Sequence, residues 1–514
     1  MYRLSVGDIA IEQLARERLG FEHLRPGQLR AVEALAEGKD VLAVLPTGGG
    51  KSAIYELAGM LREGPTVVVS PLIALQVDQL AHLRSAGLGA IVLNSHQSSR
   101  EHVAALAASC SPDSFVFLSP EQLSNADTLD VLRRARPGLF AVDEAHLISQ
   151  WGHDFRTDYM RLGAQADTLG VPVRLALTAT AAQPTQQEIV RRLELQDPEI
   201  VIGDFDRPNI SFATERVRTE ADKLHALTAF AAGNAGSGIV YAATHAAAEA
   251  ARDALAAAGE SVTLYHAGLS PRARCDAMNA FLDGSTRIVV ATVAFGMGID
   301  KPDVRWIVHV DPPPSLDAYY QEIGRAGRDG DPATAVLLYR PEDFGSAVHF
   351  TSRGVSGASV ARVAALLASG DDVPAGRGTT AALVRLVDVG AAELDASGAV
   401  RWTGALDVGA ALAASEDEAH REDEVERSRL DMMRRYAEHS GSLRSFLLSY
   451  FGQSAAATAE LEPFAPGERV VSERWGTGTV QRYDGDQMTV LFDEHGYRDL
   501  LVPLVVGRRL LRRA

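Results

Sequence analysis

Along the first two thirds of the chain, apolar residues come in short, nearly unbroken runs separated by longer amphipathic stretches. VLAVL (41–45), TVVVS (66–70), AIVLN (90–94), FVFLS (115–119), LFAVD (139–143) and RLALTAT (174–180) are the first set. Runs that lack polar alternation predict parallel strands covered on both faces, and the stretches between them predict crossover helices. The pattern pauses at DFDRPNI (204–210) and resumes with GIVYAA (238–243), VTLYHA (262–267), RIVVAT (287–292), WIVHVD (306–311) and TAVLLY (334–339). The expected fold class is therefore α/β, with two tandem doubly wound domains spanning 1–207 and 208–345. A ligand is expected in the cleft that such a pair leaves.

Beyond residue 345 the texture changes. SVARVAALLA and TTAALVRLVDVG predict helices, and ELDASGAVRW predicts two short strands around Ser397-Gly398, together suggesting a winged helix over 346–414. The acidic SEDEAHREDEVE (415–426) reads as a solvated helix start or linker. A helical pair completes the segment 415–453, and a small-residue linker follows. From 464 to 514, alternating residues and glycine turns at short spacing predict a small β-barrel.

The chain has 514 residues, 46% of them apolar, so wholesale disorder is excluded. No apolar run reaches membrane-span length and the N-terminus lacks the apolar stretch of a signal peptide, so a cytoplasmic protein without a membrane partner is expected. The net charge of −17 argues against bulk phosphate neutralisation, although a sum does not exclude a local basic groove. Cys110 and Cys275 alone are too few for a cysteine zinc site or a disulfide framework. The only lysines are Lys39, Lys51, Lys223 and Lys301.

One of those lysines sits in the clearest chemical motif. The strand VLAVL runs into PTGGGKS (46–52) and then a helical pattern, the context a phosphate-binding loop requires. Thr47, Gly48, Gly49 and Gly50 would turn backbone N–H groups inward, Lys51 would reach the outer phosphates of ATP, and Ser52 would ligate Mg²⁺. LFAVDEAH then places two acids at the end of another buried strand. Asp143 is placed to hold Mg²⁺, and Glu144 to orient or deprotonate the attacking water.

LRPGQ, TGGGKS, SPLIALQVDQ, DEAH, TAT, YHAGL, ATVAFGMGIDKPDVRWIVH and YYQEIGRAGRDG occur in the order of superfamily 2 helicases. Over about residues 10–345 the chain resembles the RecQ DNA helicase family, whose motor consists of two RecA-like P-loop domains. The resemblance implies that Phe21, Arg25 and Gln28 read the adenine. It also implies that Gln321, Arg325 and Arg328 face the nucleotide from the second domain, with Arg328 the first choice of arginine finger and Arg325 the second. Trp151, His153, Phe155 and Arg156 match an aromatic-rich loop that senses DNA, where rings stack on bases. Ser70, Thr178, His266 and Thr292 match motifs that touch the nucleic-acid backbone or couple it to the nucleotide site.

The chain also departs from that family. Ser442 stands where the first zinc-ligating cysteine is expected and no cysteine follows Cys275, so ATP and Mg²⁺ are implied but zinc is not. The helical pair would then rest on packing by Leu430, Tyr436, Phe446, Leu447, Tyr450 and Phe451. The C-terminal barrel resembles Tudor-like modules. Within it, WGTGTV (475–480) and Tyr483 either offer an aromatic surface for DNA or a partner protein, or fill the barrel core.

The resemblance implies an ATP-dependent 3′→5′ DNA helicase acting on single-stranded and forked DNA in repair or recombination. A translocase or annealing factor without processive unwinding, an RNA helicase and a nucleotide-switched DNA-binding adaptor remain alternatives.

Overall fold

The computed structural model describes residues 6–46, 48–71, 73–93, 105–109, 111–148, 156–181, 183–295, 301–345, 355–374, 376–394, 399–453, 463–484, 487–502, 505 and 510–514. The chain divides into two units, one comprising residues 1–203 with 354–418 and the other 204–353 with 419–514.

The first unit is built on a seven-stranded, wholly parallel sheet. Its strands are β1 (Val41–Val44), β2 (Thr66–Val69), β3 (Gly89–Leu93), β4 (Ser114–Leu118), β5 (Leu139–Val142), β6 (Arg174–Thr178) and β7 (Glu199–Ile202), ordered β3-β4-β2-β5-β6-β1-β7. Every residue of β1, β2, β4 and β5 is buried, because helices cover both faces, which explains the unbroken apolar runs. β7 was not among the expected strands. It lies at the sheet edge and alternates, with Val201 buried while Ile200 and Ile202 stay exposed.

This unit also carries helices Gly357–Ser369 and Arg377–Asp388 and the antiparallel pair β14 (Ala392–Leu394) and β15 (Val400–Trp402). Val360, Val363, Ala364, Ala382, Leu386, Ala391 and Ala411 form their common core. Arg192 of the helix Gln183–Arg192 pairs with Asp388, tying these helices to the sheet's covering layer. The expected turn residues Ser397-Gly398 lie outside the described residues.

The second unit holds a six-stranded parallel sheet of β8 (Ile210–Arg216), β9 (Ser237–Tyr241), β10 (Val262–Tyr265), β11 (Ile288–Ala291), β12 (Val304–His309) and β13 (Ala333–Tyr339). Their order is β10-β11-β9-β12-β13-β8. The acidic stretch 415–426 lies inside the continuous helix Val408–Ala437, not in an extended linker. Glu424 of that helix bonds Arg498 and lies 3.2 Å from His495.

The helix Leu443–Tyr450 follows, capped by the Ser442 hydroxyl, which accepts from the Ser445 N–H. Serine is a strong cap, so here it has a structural task of its own. Leu430, Tyr436, Phe446, Leu447 and Tyr450 are buried, and Phe451 stacks on Phe205 at 4.5 Å. The C-terminal strands β16 (Arg469–Ser472), β17 (Gly476–Asp484), β18 (Gln487–Phe492), β19 (Gly496–Leu501) and β20 (Arg512–Arg513) form an antiparallel sheet ordered β19-β18-β17-β16-β20. Trp475 packs on Phe492, and the Tyr483 hydroxyl donates to the Phe464 carbonyl at 2.7 Å. Both aromatics therefore take the core-filling alternative.

Candidate functional site

In the first unit, β1 ends at Val44 and the chain turns through Gly48, Gly49 and Gly50 into the helix Lys51–Met60. Gly50 adopts φ 69° and caps that helix in the left-handed region, where glycine is favoured. A Cβ there would sit 2.3 Å from the Gln28 amide nitrogen, and one on Gly49 would sit 2.7 Å from the Pro46 carbonyl. Side chains are thus disfavoured at both positions; the Gly49 N–H closes the turn on the Pro46 carbonyl at 2.8 Å, and the helix N-terminus that follows suits an anion.

Gln28 braces this turn. Its amide donates to the carbonyls of Gly50 at 2.8 Å and Gly49 at 3.2 Å, while its own oxygen accepts from the Arg25 N–H at 2.8 Å. Arg25 precedes the helix Pro26–Ala36 with its side chain exposed. Phe21 packs against the apolar core, with its ring 6.5 Å from that of His82. Lys51 and Ser52 open the next helix, both half-buried. Thr47 lies outside the described residues.

Asp143 and Glu144 follow β5, at the same carboxyl edge of the sheet. The Asp143 carboxyl is pushed up to about 6, first by burial and then by the neighbouring Glu144 charge, with Lys51 opposing. Two crowded acids near a lysine suit a hard cation, the chemistry expected of Mg²⁺. Glu144 adopts φ 50°, uncommon for a residue with a side chain and typical of sites that hold backbone strain.

Sequence reasoning did not assign His146 a role. Its Nδ1 lies 3.2 Å from the Glu144 carboxylate and 3.1 Å from the Thr178 hydroxyl. Since that hydroxyl donates onward to the Thr180 carbonyl at 2.8 Å, the nitrogen carries the hydrogen and donates. The acid pair is thereby wired to the end of β6, where TAT lies. The signal was present as the last letter of DEAH, but its partner is 32 positions away in the chain. Ser70, also expected here, is buried directly after β2.

Trp151, His153 and Phe155 lie outside the described residues. Arg156 opens the short helix Arg156–Met160, with its side chain outside them as well.

The second unit has its own cluster. Gln321 sits in the helix Leu316–Ile323, with Arg325 and Arg328 just after it. Arg325 is buried, and its Nε has no hydrogen-bond partner among the described residues. A buried guanidinium nitrogen of that kind suits an incoming anionic oxygen. His266 is buried, stacks on His245 at 4.2 Å and accepts from the Gly268 N–H at 3.2 Å. Thr292, buried after β11, is bonded through its N–H to the Tyr265 carbonyl.

Among the described residues, no group of three His, Cys, Asp or Glu side chains is placed to hold a metal, and no helix is long and apolar enough to cross a membrane.

Residues 25–189 match the DEAD/DEAH box helicase family and residues 221–330 the helicase conserved C-terminal domain. The ATP-dependent DNA helicase RecQ of Pasteurella multocida is 40% identical over 344 residues, covering 66% of this chain and 54% of that protein. The probable ATP-dependent DNA helicase RecS of Bacillus subtilis is 39% identical over 336 residues, covering 65% of this chain and 68% of that protein. The chain thus spans about half of the first relative's length and two thirds of the second's. Among solved structures, Mycobacterium smegmatis helicase Lhr bound to ssDNA and AMP-PNP superposes with a TM-score of 0.52 at 20% identity. That match covers 81% of this chain and 62% of the other, and it speaks to fold alone.

Proposed function

The chain belongs to the RecQ family of superfamily 2 ATP-dependent DNA helicases, and we propose that it hydrolyses ATP to move 3′→5′ along single-stranded DNA and separate duplexes, serving repair or recombination. The observation that supports this reading best is the convergence, at one sheet edge, of the glycine turn, Lys51 and the Asp143–Glu144 pair.

In this reading the turn's amides and Lys51 bind the phosphates, and Glu144 holds the attacking water through its contact with His146. Ser52 and Asp143 hold Mg²⁺, whose charge offsets that building on the phosphoryl oxygens. Gln321, Arg325 and Arg328 contribute from the second domain. An arginine supplied this way is worth about 10³-fold or more in rate, so hydrolysis depends on both domains acting together. Phe21 and Arg25 are assigned to the adenine, with Gln28 shaping the turn beside it. Trp151, His153, Phe155 and Arg156 are assigned to DNA sensing, and Ser70, Thr178, His266 and Thr292 to backbone contact or coupling.

The outer modules are part of the same proposal. The helices and short strands of 346–414 are assigned to a winged helix. The pair within 415–453 is assigned to a zinc-free counterpart of the family's zinc-domain helices, and 464–514 to a Tudor-like barrel.

Lys51→Ala and Glu144→Gln are each expected to reduce DNA-stimulated ATP hydrolysis by about 10²-fold or more. Near-normal turnover in both variants overturns the site. Strand displacement on tailed DNA and RNA duplexes of both polarities tests the substrate. Unwinding only of DNA with a 3′ tail is expected, whereas stimulated hydrolysis without displacement supports a translocase.

A further inference from the structure

The apolar pattern pauses at DFDRPNI (204–210), the stretch that opens the second unit. Within it the Arg207 carbonyl accepts from the Ile210 N–H at 3.0 Å, closing a four-residue turn. Pro208 at the second position favours such a turn, because its ring fixes φ. Arg207 and Asn209, the first and third residues of the turn, both reach one loop. That loop is Gly324–Arg328. Gly324 ends the helix Leu316–Ile323, and Gly324 to Gly327 are buried. Carbonyls at a helix C-terminus lack partners within the helix, and buried ones must find them elsewhere.

Arg207 supplies them. Its guanidinium donates to the carbonyls of Gly324 at 3.3 Å, Ala326 at 2.8 Å and Gly327 at 3.1 Å. The Asn209 amide donates to the carbonyls of Gly327 at 2.8 Å and Asp331 at 2.9 Å. The contact is close: Gly327 adopts φ 54°, and a Cβ there would sit 2.4 Å from the Asn209 amide nitrogen. Gly324 and Ala326 flank Arg325, and Gly327 precedes Arg328. These bonds therefore hold the backbone that carries both arginines. The turn is braced in its own right by the helix Leu443–Tyr450, whose Arg444 bonds the Asp206 carboxylate and the carbonyls of Arg207 at 2.8 Å and Ile210 at 2.6 Å. The Phe205 N–H, two residues before Arg207, donates to the Gln453 side chain at 2.9 Å.

We propose that Arg207 and Asn209 are positioning residues that fix the Gly324–Arg328 loop, and with it the aim of Arg325 and Arg328, while Arg444 braces the turn that carries them. Both act through the backbone of the loop, not on the nucleotide. A displacement of about 1 Å in a catalytic group costs on the order of 10²-fold in rate, so loosening this loop has a kinetic effect larger than its effect on folding. This inference rests on the reading of Arg325 and Arg328 as nucleotide-facing cations.

The test is Arg207→Lys in the full chain, which keeps the charge but replaces the planar fork with a single ammonium that does not span three carbonyls. The expected kcat for DNA-stimulated ATP hydrolysis falls about tenfold, while KM for ATP moves less than about twofold and the thermal midpoint shifts by no more than a few degrees. Asn209→Ala, which deletes two of the bonds, is expected to lower kcat about threefold with the same split. In a chain carrying both Arg325→Ala and Arg328→Ala, Arg207→Lys is expected to change the residual turnover less than about twofold, because its effect passes through those arginines. Wild-type kcat in Arg207→Lys and Asn209→Ala, alongside an impaired double-alanine chain, overturns the positioning role and leaves the site reading intact. A further tenfold loss on adding Arg207→Lys to the double-alanine chain also overturns it. Wild-type turnover in the double-alanine chain removes the arginine assignment and this proposal with it.

Discussion

Glu56 lies on the helix that begins with Lys51, with 1% of its side chain exposed. Its nearest basic group is the His82 ring, 3.7 Å away and 44% exposed. Burial pushes the carboxyl up to about 7, well above an unfolded glutamate. A folded-state value above the unfolded one means that stability is fully present below about pH 4.5 and is lost as pH rises through about 7. Glu56→Gln keeps the shape and removes the titration. The variant should therefore match the wild type near pH 4 and exceed it by roughly 1–3 kcal/mol at pH 8. Denaturant melts at the two pH values read this directly, and equal differences at both would show that Glu56 carries no burial penalty. Lys51 opens this helix beside the glycine turn, and Glu56 lies about one and a half turns deeper.

At the scale of elements, the helix Glu220–Gly233 is pinned by Lys223, whose Nζ lies 3.0 Å from Asp311 and 2.9 Å from Asp343. Burial works against its charge, but the two carboxylates outweigh that and hold its pKa above the ordinary lysine value. Asp311 also accepts from the Ala243 N–H and Asp343 from the Arg340 N–H, so one side chain ties a helix to three chain turns. Lys223→Met leaves the half-buried Asp311 without its cation and Asp343 with Arg340 alone, and should destabilise the second unit by about 2–3 kcal/mol, measured by chemical denaturation. A loss under about 1 kcal/mol would show the pair to be dispensable.

Lys223 was visible in the sequence only as one of four lysines, because its partners are 88 and 120 positions away. The central strands were legible for the opposite reason. Burial on both faces writes a local, unbroken apolar run, and the glycine turn and DEAH are each written in consecutive residues. The edge strands β7 and β8 escaped because each alternates buried and exposed positions and carries polar residues. The helix Val408–Ala437 was masked by its acidic composition: some of its carboxylates pair within it, as Glu426 does with Arg429, but Glu424 finds its arginine, Arg498, only in a distant strand. Tyr241 and His309 gave no signal at all. Strand register brings them together, and register is not written in either run alone.

For the whole molecule, the proposed function poses the question of how a chain of net charge −17 would hold a polyanion. Many arginines are already committed: Arg192 to Asp388, Arg287 to Glu260, Arg340 to Asp343, Arg429 to Glu426, Arg444 to Asp206 and Arg469 to Asp493. An arginine paired with a carboxylate must give up that partner to neutralise a phosphate, so its net contribution to counterion release is small. The groups assigned to DNA are instead hydroxyls, aromatic rings and a few cations, which bind phosphate and base with little net charge. Binding to single-stranded DNA should therefore weaken only about 15- to 60-fold between 50 and 200 mM salt, as for roughly three to four neutralised phosphates. A grip on about ten phosphates would weaken on the order of 10⁴-fold over the same range. Fluorescence anisotropy of a labelled oligonucleotide across that salt series separates the two. The steep slope would mean that these ion pairs open on DNA, and that the acidic total conceals a basic track. The shallow slope fits a motor that releases and regrips its strand at each cycle, since weak dependence on counterions leaves the nucleotide state to govern affinity.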